Sequence, residues 1–374
     1  MNNLDTQYIQ LVKDILYQGI LKSDRTGTGT LSVFGRQIRH KMSEGFPLLT
    51  TKSVPFKTMV TELLWFLKGR TDLRYLLENG CNIWAGDSYK NYVTKQPKSK
   101  VGDYENYIDC YCGHTDTCDC GPMYEKEFIE KIKTDDEFAE KWGSLGEVYG
   151  AQWRNWNGNV DQIVNLVNDL QTNPDSRRLL VNSWNVDELD QMVLPPCHYS
   201  FQVYTRELSR EERWDLLKRR VDIEQFAEMA NDIIPFGGGL NEVIQSLNIP
   251  KRAISLMFNM RSTDVGLGLP FNLASYGLLL MFIGRYVNMV PDQLIYSGGD
   301  IHIYTNHIEP IKEQLDRESF ELPKVEFIEG LFDRTYPDSE VKLDLDSLIK
   351  SLSPSDFILH NYKSHPTIKL PLSN

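Results

Sequence analysis

The chain has 374 residues, 41% of them hydrophobic and 25% charged, with a formal net charge of -12. That length buries a large core as one big α/β domain or two smaller ones, and no run of about eighteen apolar residues offers a membrane-spanning helix. The acidic balance argues against general binding to nucleic acid, which needs a basic footprint, yet leaves room for a small anion held by a local arginine cluster.

The opening MNNLDTQYIQLVKDILYQGI has no basic region followed by an apolar core. It reads as an amphipathic helix over 4–21 rather than a secretory signal, and a cytoplasmic location is expected. The turn-rich Ser23–Thr30 leads into a strand, Leu31–Arg39. PFKTMVTELLWFLK predicts an apolar helix over 55–68, and 71–81 a second. From 86 to 145 the sequence turns polar and irregular around CYCGHTDTCDCG, and reads as an insertion. A helix is expected over 160–171 and strands over Leu179–Trp184 and His198–Thr205. Residues 206–250 are highly charged, with amphipathic helical pieces broken at Gly237–Gly239, and read as a second insertion. In Ala253–Arg261, Ile254, Leu256, Phe258 and Met260 alternate with Ser255, Met257, Asn259 and Arg261, the pattern of a half-buried strand. Residues 272–289 predict a strongly apolar helix.

Six cysteines are present, and without a secretory signal a disulfide framework is the weaker reading. Cys110-x-Cys112 and Cys118-x-Cys120, with His114 between them, offer four ligands for a structural zinc that would fold the insertion. The spacing is not the usual C-x2-C, and a reduced polar loop with scattered thiols is the alternative. Cys197 stands apart in LPPCHYSFQVY, at the mouth of a strand after a Pro-Pro turn. Either it is a nucleophile, which requires surroundings that favour thiolate, or it is a small buried hydrophobe.

Other residues bear on that choice. The arginine fork suits phosphate, because it makes paired charge-assisted bonds. Arg25 lies in the glycine-rich SDRTGTGT, Arg177 and Arg178 lie in NPDSRRLL before a strand, and Arg261 precedes Ser262 on the polar side of its strand. Any one of them alone would read as a solvated surface arginine. Glu62, in MVTELLWFL, has apolar neighbours on almost every side. Burial there would raise its pKa and suit it to proton transfer, whereas a place at the helix surface or beside a basic residue would not. Asn272, in GLGLPFNLASY, is either a plain N-cap or an amide presented to a ligand, with the acceptor and donors that match the O4/N3–H edge of uracil.

SDRTGTGTLSVFGRQIR, TELLWFLKG, NIW, VYGAQWR, PDSRRLLVNSWNV, LPPCHYSFQVY, MRSTDVGLGLPFNLASYGLLL, GGDIHIYTNHIEPI and SHPTIKLP occur in one fixed order. In these pieces the chain closely resembles the thymidylate synthase family over nearly its whole length outside the two insertions. The resemblance implies one α/β (α+β) domain over 1–374, with a large mixed sheet and surrounding helices, carrying the insertions 86–145 and 206–250. It implies a homodimer packed sheet to sheet, in which Arg177 and Arg178 are donated to the other subunit's site. Cys197 matches the thiol that adds to C6 of dUMP. Arg25, Arg177, Arg178, Arg261 and Ser262 match the phosphate site, and His302 and Tyr304 the pair on the ribose 3′-hydroxyl. Asn272 matches the reader of the pyrimidine edge, where an aspartate marks enzymes acting on dCMP. Glu62, Tyr149, His198 and Asp264 match the proton-transfer and folate-ordering network. Lys52, Trp84, Asp264, Gly268, Phe271 and Ser373 fall on the side of the co-substrate, 5,10-methylenetetrahydrofolate. Neither DNA nor membrane is an expected partner.

Several positions depart from the family pattern. The chain ends Leu372-Ser373-Asn374 where small apolar residues are usual. Ala85-Gly86-Asp87 lacks a second tryptophan, Glu147 replaces a proline, Met260 a glutamine, and Pro55 a larger side chain. These keep a second reading open, a deoxyuridylate hydroxymethylase that adds water to the same intermediate. A third, an inactive regulatory scaffold, is opposed by intact Cys197, Glu62, Asn272 and the phosphate arginines.

Overall fold

The computed structural model describes residues 2–24, 26–96, 122–220, 247–335 and 340–372. The first helix, α1 (Asn3–Gln18), buries Leu4, Tyr8, Val12 and Ile15, a stripe at three- and four-residue spacing. Asn2 caps it by accepting from Asp5 N at 2.8 Å. It ends short of the expected residue 21 at Gly19, whose backbone turns extended (ψ 145°) while its N–H still bonds the Ile15 carbonyl, a close approach that leaves no room for a Cβ. The chain turns there into a short strand, β1 (Ile20–Lys22), and then β2 (Thr30–Lys41). Two expected helices follow as α2 (Phe56–Leu67) and α3 (Leu73–Glu78).

The stretch expected to be irregular from residue 86 is helical at both described flanks. It contains α4 (Ala85–Thr94), α5 (Glu125–Thr134) and α6 (Asp136–Trp142). Tyr92 binds them together, with ring centroids 5.1 Å from Phe128, 5.8 Å from Phe138 and 5.1 Å from Trp142. Phe128 and Ile132 are fully buried in the main core. Their helical spacing is hidden in the sequence by the charged residues that fill the outer face of these short helices.

Next come α7 (Tyr149–Asn155), α8 (Gln162–Thr172), β3 (Leu180–Asn182) and β4 (His198–Glu207). Of the charged stretch 206–250, the described part forms α9 (Arg210–Arg220). β5 (Arg252–Asp264) alternates as expected, and α10 spans Gly268–Tyr286. That helix begins four residues before the expected 272, because Pro270 sits in its first turn, where a missing N–H goes unnoticed. Asn272 is therefore inside the helix, and the N-cap reading does not hold.

β6 (Val290–Tyr304) has no counterpart among the expected strands. Pro291, Gly298, Gly299 and Asp300 interrupt its pattern, yet it lies at the centre of the sheet. α11 (Ile308–Leu315), β7 (Lys324–Phe327), α12 (Leu345–Ser351) and β8 (Phe357–His360) complete the order.

The main sheet runs β1-β2-β6-β5-β4-β3. β5 and β6 are parallel and joined by the crossover α10, while the remaining pairs are antiparallel. The sheet is thus large and mixed, as expected. α10 is apolar on nearly every side because it packs on β5, β6 and α2 together. Tyr276 lies flat on Phe258, with centroids 4.3 Å apart. Among the described residues no helix is long and apolar enough to cross a membrane.

One buried carboxylate secures the loop after β2. Asp5 is fully buried and accepts from Thr50 Oγ1 at 2.7 Å, Thr51 Oγ1 at 2.8 Å and both of their backbone N–H groups. Removing the acceptor leaves four donors without it. Asp5→Ala is expected to cost at least about 3 kcal/mol in urea unfolding; a loss below about 1 kcal/mol would show that the loop holds itself.

Candidate active site

Cys197 sits half-buried between the Pro195-Pro196 turn and the first residue of β4. Its backbone is held from both sides. The N–H donates to Tyr149 Oη at 2.8 Å, and the carbonyl accepts from Arg261 N at 2.9 Å. Arg261 also reaches back over the turn, donating from Nε to Pro196 O and from Nη2 to Pro195 O, each at 2.9 Å. Its guanidinium lies 5.2 Å from the Trp184 ring. A permanent cation is therefore built into the turn that carries the thiol, the kind of neighbour that favours thiolate.

The next residue, His198, is buried with its ring stacked on Tyr149, centroids 4.0 Å apart. Its Nδ1 lies 2.8 Å from Tyr276 Oη. Burial pushes its pKa down to about 3, so the imidazole is neutral at neutral pH. Burial likewise drives the Tyr149 hydroxyl well above its ordinary value, with Cys197 adding to the effect. Neither ring carries charge at neutral pH; both orient hydrogen bonds around Cys197.

Glu62 is buried in α2, as the first of its two sequence readings requires, and has no basic partner among the causes acting on it. Trp84 Nε1 donates to its Oε1 at 2.8 Å. Burial raises its pKa to about 7, while the Trp84 bond pulls the other way. A carboxyl that is half-protonated near neutral pH can both give and take a proton. Trp84 in turn lies 6.1 Å from the Tyr149 ring, which connects Glu62 to the cysteine side of the site. The other described thiol, Cys81, is buried near Glu62 and pushed up to about 12 by burial. It stays protonated and is no rival nucleophile.

Asn272 and Tyr276 lie one turn apart on α10, and both are buried. A Cβ at Gly268 would come within 3.7 Å of Asn272 Oδ1 and 3.9 Å of Asp264 Cβ, so these three residues adjoin. Asp264 Oδ1 accepts from Gly266 N at 2.8 Å and Leu267 N at 3.1 Å, closing the turn between β5 and α10. Lys52 is buried and donates to the Gly266 carbonyl of that turn. Burial lowers its pKa to about 8, opposed by Asp264 and aided by Arg317. Phe271, half-buried, packs against the core beside them.

His302 pairs with Asp264 across the parallel strands. Its Nδ1 lies 3.1 Å from Asp300 Oδ1, and Asp300 also takes Ser32 Oγ and Lys22 Nζ, each at 3.0 Å. Tyr304 sets its ring edge-on to His302 at 5.2 Å. Ser262 is level with Asp300 in the same ladder. The loop that carries Arg25 is tied to the end of β6, with Thr305 N donating to Gly29 O at 3.0 Å.

The structure thus gathers Cys197, Tyr149, His198, Glu62, Trp84, Asn272, Asp264, Gly268, Lys52, Phe271, Arg261, Ser262, His302 and Tyr304 at one end of the sheet. Arg177 and Arg178 are not with them. Both are exposed, on the segment leading into β3 beside Gln202. Gln202 lies five positions along the chain from Cys197, about 17 Å when extended. Arg25, Ser373 and the four clustered cysteines, Cys110, Cys112, Cys118 and Cys120, lie outside the described residues, and so does the zinc reading. Among the described residues no group of three His, Cys, Asp or Glu is placed to hold a metal. Sequence reading missed Tyr276, Asp300 and His307; only Tyr276, four residues after Asn272, left a usable signal.

A cysteine turn beside a fixed cation, a buried carboxyl titrating near neutrality and a buried amide are together the groups that nucleophilic covalent catalysis requires. The family model described as thymidylate synthase matches residues 6–226 and 240–374, and the chain belongs to the thymidylate synthase family. It is 37% identical over 377 residues to the thymidylate synthase of Listeria monocytogenes serotype 4a, covering 98% of this chain and 99% of that protein. It is 36% identical over 366 residues to that of Mycoplasma mobile, covering 97% and 98%. The family model runs through residues 86–145 and leaves 227–239, within 206–250, unmatched.

Proposed function

We propose that this chain is a working thymidylate synthase, a methyltransferase that converts dUMP to dTMP with 5,10-methylenetetrahydrofolate as co-substrate. The observation that carries the reading is the cysteine turn: Cys197, held by Tyr149 and Arg261, lies at the same end of the sheet as Glu62 and Asn272, which are joined to it through Trp84, Tyr149, His198 and Tyr276. C6 of uracil is the β-carbon of an enone, so a soft thiolate adds to it and charge develops on O4 and C5. The Asn272 amide meets the O4/N3–H edge, and Glu62 exchanges a proton around O4 and C5. The folate supplies the one-carbon unit to C5 and the hydride that completes the methyl group. Asp264 and Lys52, which hold the turn between β5 and α10, would border the folate, and the C-terminal segment beside that turn would keep water from it.

Arg261 and Ser262, with Arg25 on its loop, make the phosphate site of one subunit, and Arg177 and Arg178 complete it from the other. The outer face of the sheet supports this dimer. Phe34 on β2 and Tyr204 on β4 are 80% and 67% exposed on it. A hollow of about 680 Å³ opens there between Phe34, Trp184, Tyr199 and Arg261. Such a face calls for a partner surface of its own kind, and the protein in solution is expected at twice 43.2 kDa.

The methyl product is favoured over the hydroxymethyl one by the family match and by Trp84, retained and bonded to Glu62. Product analysis by mass spectrometry decides between them. dTMP with dihydrofolate is expected; 5-hydroxymethyl-dUMP with tetrahydrofolate would establish the hydroxymethylase. No product, with dUMP still bound, would leave the regulatory scaffold. Asn272→Asp is expected to shift preference toward dCMP by tenfold or more, because a carboxyl group pairs better with the exocyclic amine. An unchanged dUMP preference would count against Asn272 as the reader.

A further inference from the structure

After β8 the chain runs back over the folate side as a strap. Its first half is well tied. Tyr362 Oη donates to Leu49 O at 2.9 Å, His365 N donates to Thr50 O at 2.9 Å, and Arg317 Nη1 donates to Pro366 O at 2.8 Å. Beyond Pro366, among the described residues, the hold rests on the burial of Ile368, on Leu370 and on one hydrogen bond, from His307 Nε2 to Pro371 O at 2.6 Å.

His307 is fully buried at the start of α11. A carbonyl only accepts, so Nε2 must carry the proton of that bond. The other ring nitrogen, Nδ1, is buried without a hydrogen-bond partner, and Asp264 Oδ1 lies 3.9 Å from it. The room between them comes from Gly266. A Cβ there would stand 3.0 Å from His307 Nδ1, 3.0 Å from Leu370 Cδ1 and 3.2 Å from Asp264 Oδ1. Strap, imidazole and carboxylate therefore meet over a single glycine, and each touches the turn that Lys52 also holds.

We propose that His307 is a positioning residue that latches the end of the C-terminal strap to the Asp264–Gly266 turn, so that docking of the strap and orientation of the Asp264 carboxylate occur together. The folate side of this inference rests on the thymidylate synthase reading. The latch itself rests on the geometry. With Nε2 committed to Pro371, Nδ1 presents a lone pair 3.9 Å from Asp264 Oδ1, so the ring acts on that carboxylate as a packed wall and not as a hydrogen-bond donor. Loss of the strap bond frees the ring, and with it one wall of the Asp264 pocket.

The test is hydrogen exchange on the ligand-free protein, followed by kinetics. In His307→Leu, the amides of Ile368, Lys369, Leu370 and Leu372 are expected to exchange about tenfold faster, the worth of one hydrogen bond. The amides of Tyr362 and His365 should keep their wild-type rates. KM for methylenetetrahydrofolate should rise about tenfold with dUMP affinity unchanged. His307→Gln, which keeps a donor of similar reach, should restore most of the strap's protection. Gly266→Ala adds only a Cβ and should loosen the same four amides, which keeps the question open to test if His307→Leu does not fold. Wild-type exchange at those amides in every variant would overturn the latch. So would uniform loosening of the whole protein, or a Gln variant no better than Leu. If the wild-type protein makes no dTMP, the functional reading fails, but exchange in the ligand-free protein still decides the latch.

Discussion

Cys197→Ser protein is expected to bind dUMP with near wild-type affinity and to lose turnover by at least about 10³-fold. Contacts through the backbone N–H and carbonyl of residue 197 and through Arg261 hold this turn, and a serine keeps all of them. The pocket should therefore survive the change. What disappears is the nucleophile: a serine hydroxyl is far from ionised at neutral pH, and the neighbouring imidazole of His198, with its pKa near 3, is a poor base to activate it. Cys81 cannot take over, since burial holds its thiol protonated. Calorimetric binding of dUMP alongside a product assay reads both halves. Turnover within tenfold of wild type would remove the covalent role from Cys197.

Glu62→Gln should trade activity for stability. The amide cannot relay a proton, and turnover is expected to fall about 10²- to 10⁴-fold. Stability moves the other way at neutral and alkaline pH. The carboxyl of Glu62 titrates at about 7 in the folded protein against an ordinary 4.5. Below pH 4.5 both folded and unfolded chains hold the proton, and the group makes its full contribution. As pH rises from 4.5 to 7, the unfolded chain releases the proton while the folded chain keeps it, and roughly 3 kcal/mol of stability is lost. Glutamine carries no such loss. Urea-unfolding free energies of the two proteins should therefore diverge by roughly that amount between pH 4.5 and 8, in favour of the variant. Parallel pH profiles would mean that Glu62 is ionised cheaply in the fold, and the proton-relay role would lose its basis.

Much of the site was legible in the chain because its residue types are unusual for their surroundings. A glutamate among seven apolar neighbours in MVTELLWFL, a cysteine after two prolines and an asparagine leading an apolar run each raise a chemical question that few arrangements answer. The regular elements were legible for a similar reason. Leu4, Tyr8, Val12 and Ile15 keep helical period, and the alternation through Ala253–Arg261 keeps strand period, since each faces one core on one side. β6 was not legible. Its proline and glycines break the alternation, and it is a strand because β2 and β5 both pair with it. Helices α4, α5 and α6 escaped notice because three short helices with charged outer faces become stable only when Tyr92, Phe128 and Phe138 meet.

By itself, the sequence determined the chemistry available to this protein, the order of its main elements and its membership in a family, because these follow from residue type, local period and long runs of matching motif. Only the tertiary structure decided which residues act together. It placed Trp84 on Glu62, Tyr149 under Cys197 and His307 against the strap, and it set Arg177 and Arg178 apart from the site of their own chain. Those relations join residues 22 to 64 positions apart. No local pattern encodes such contacts, since they exist only once the sheet and α10 have brought distant segments to the same face.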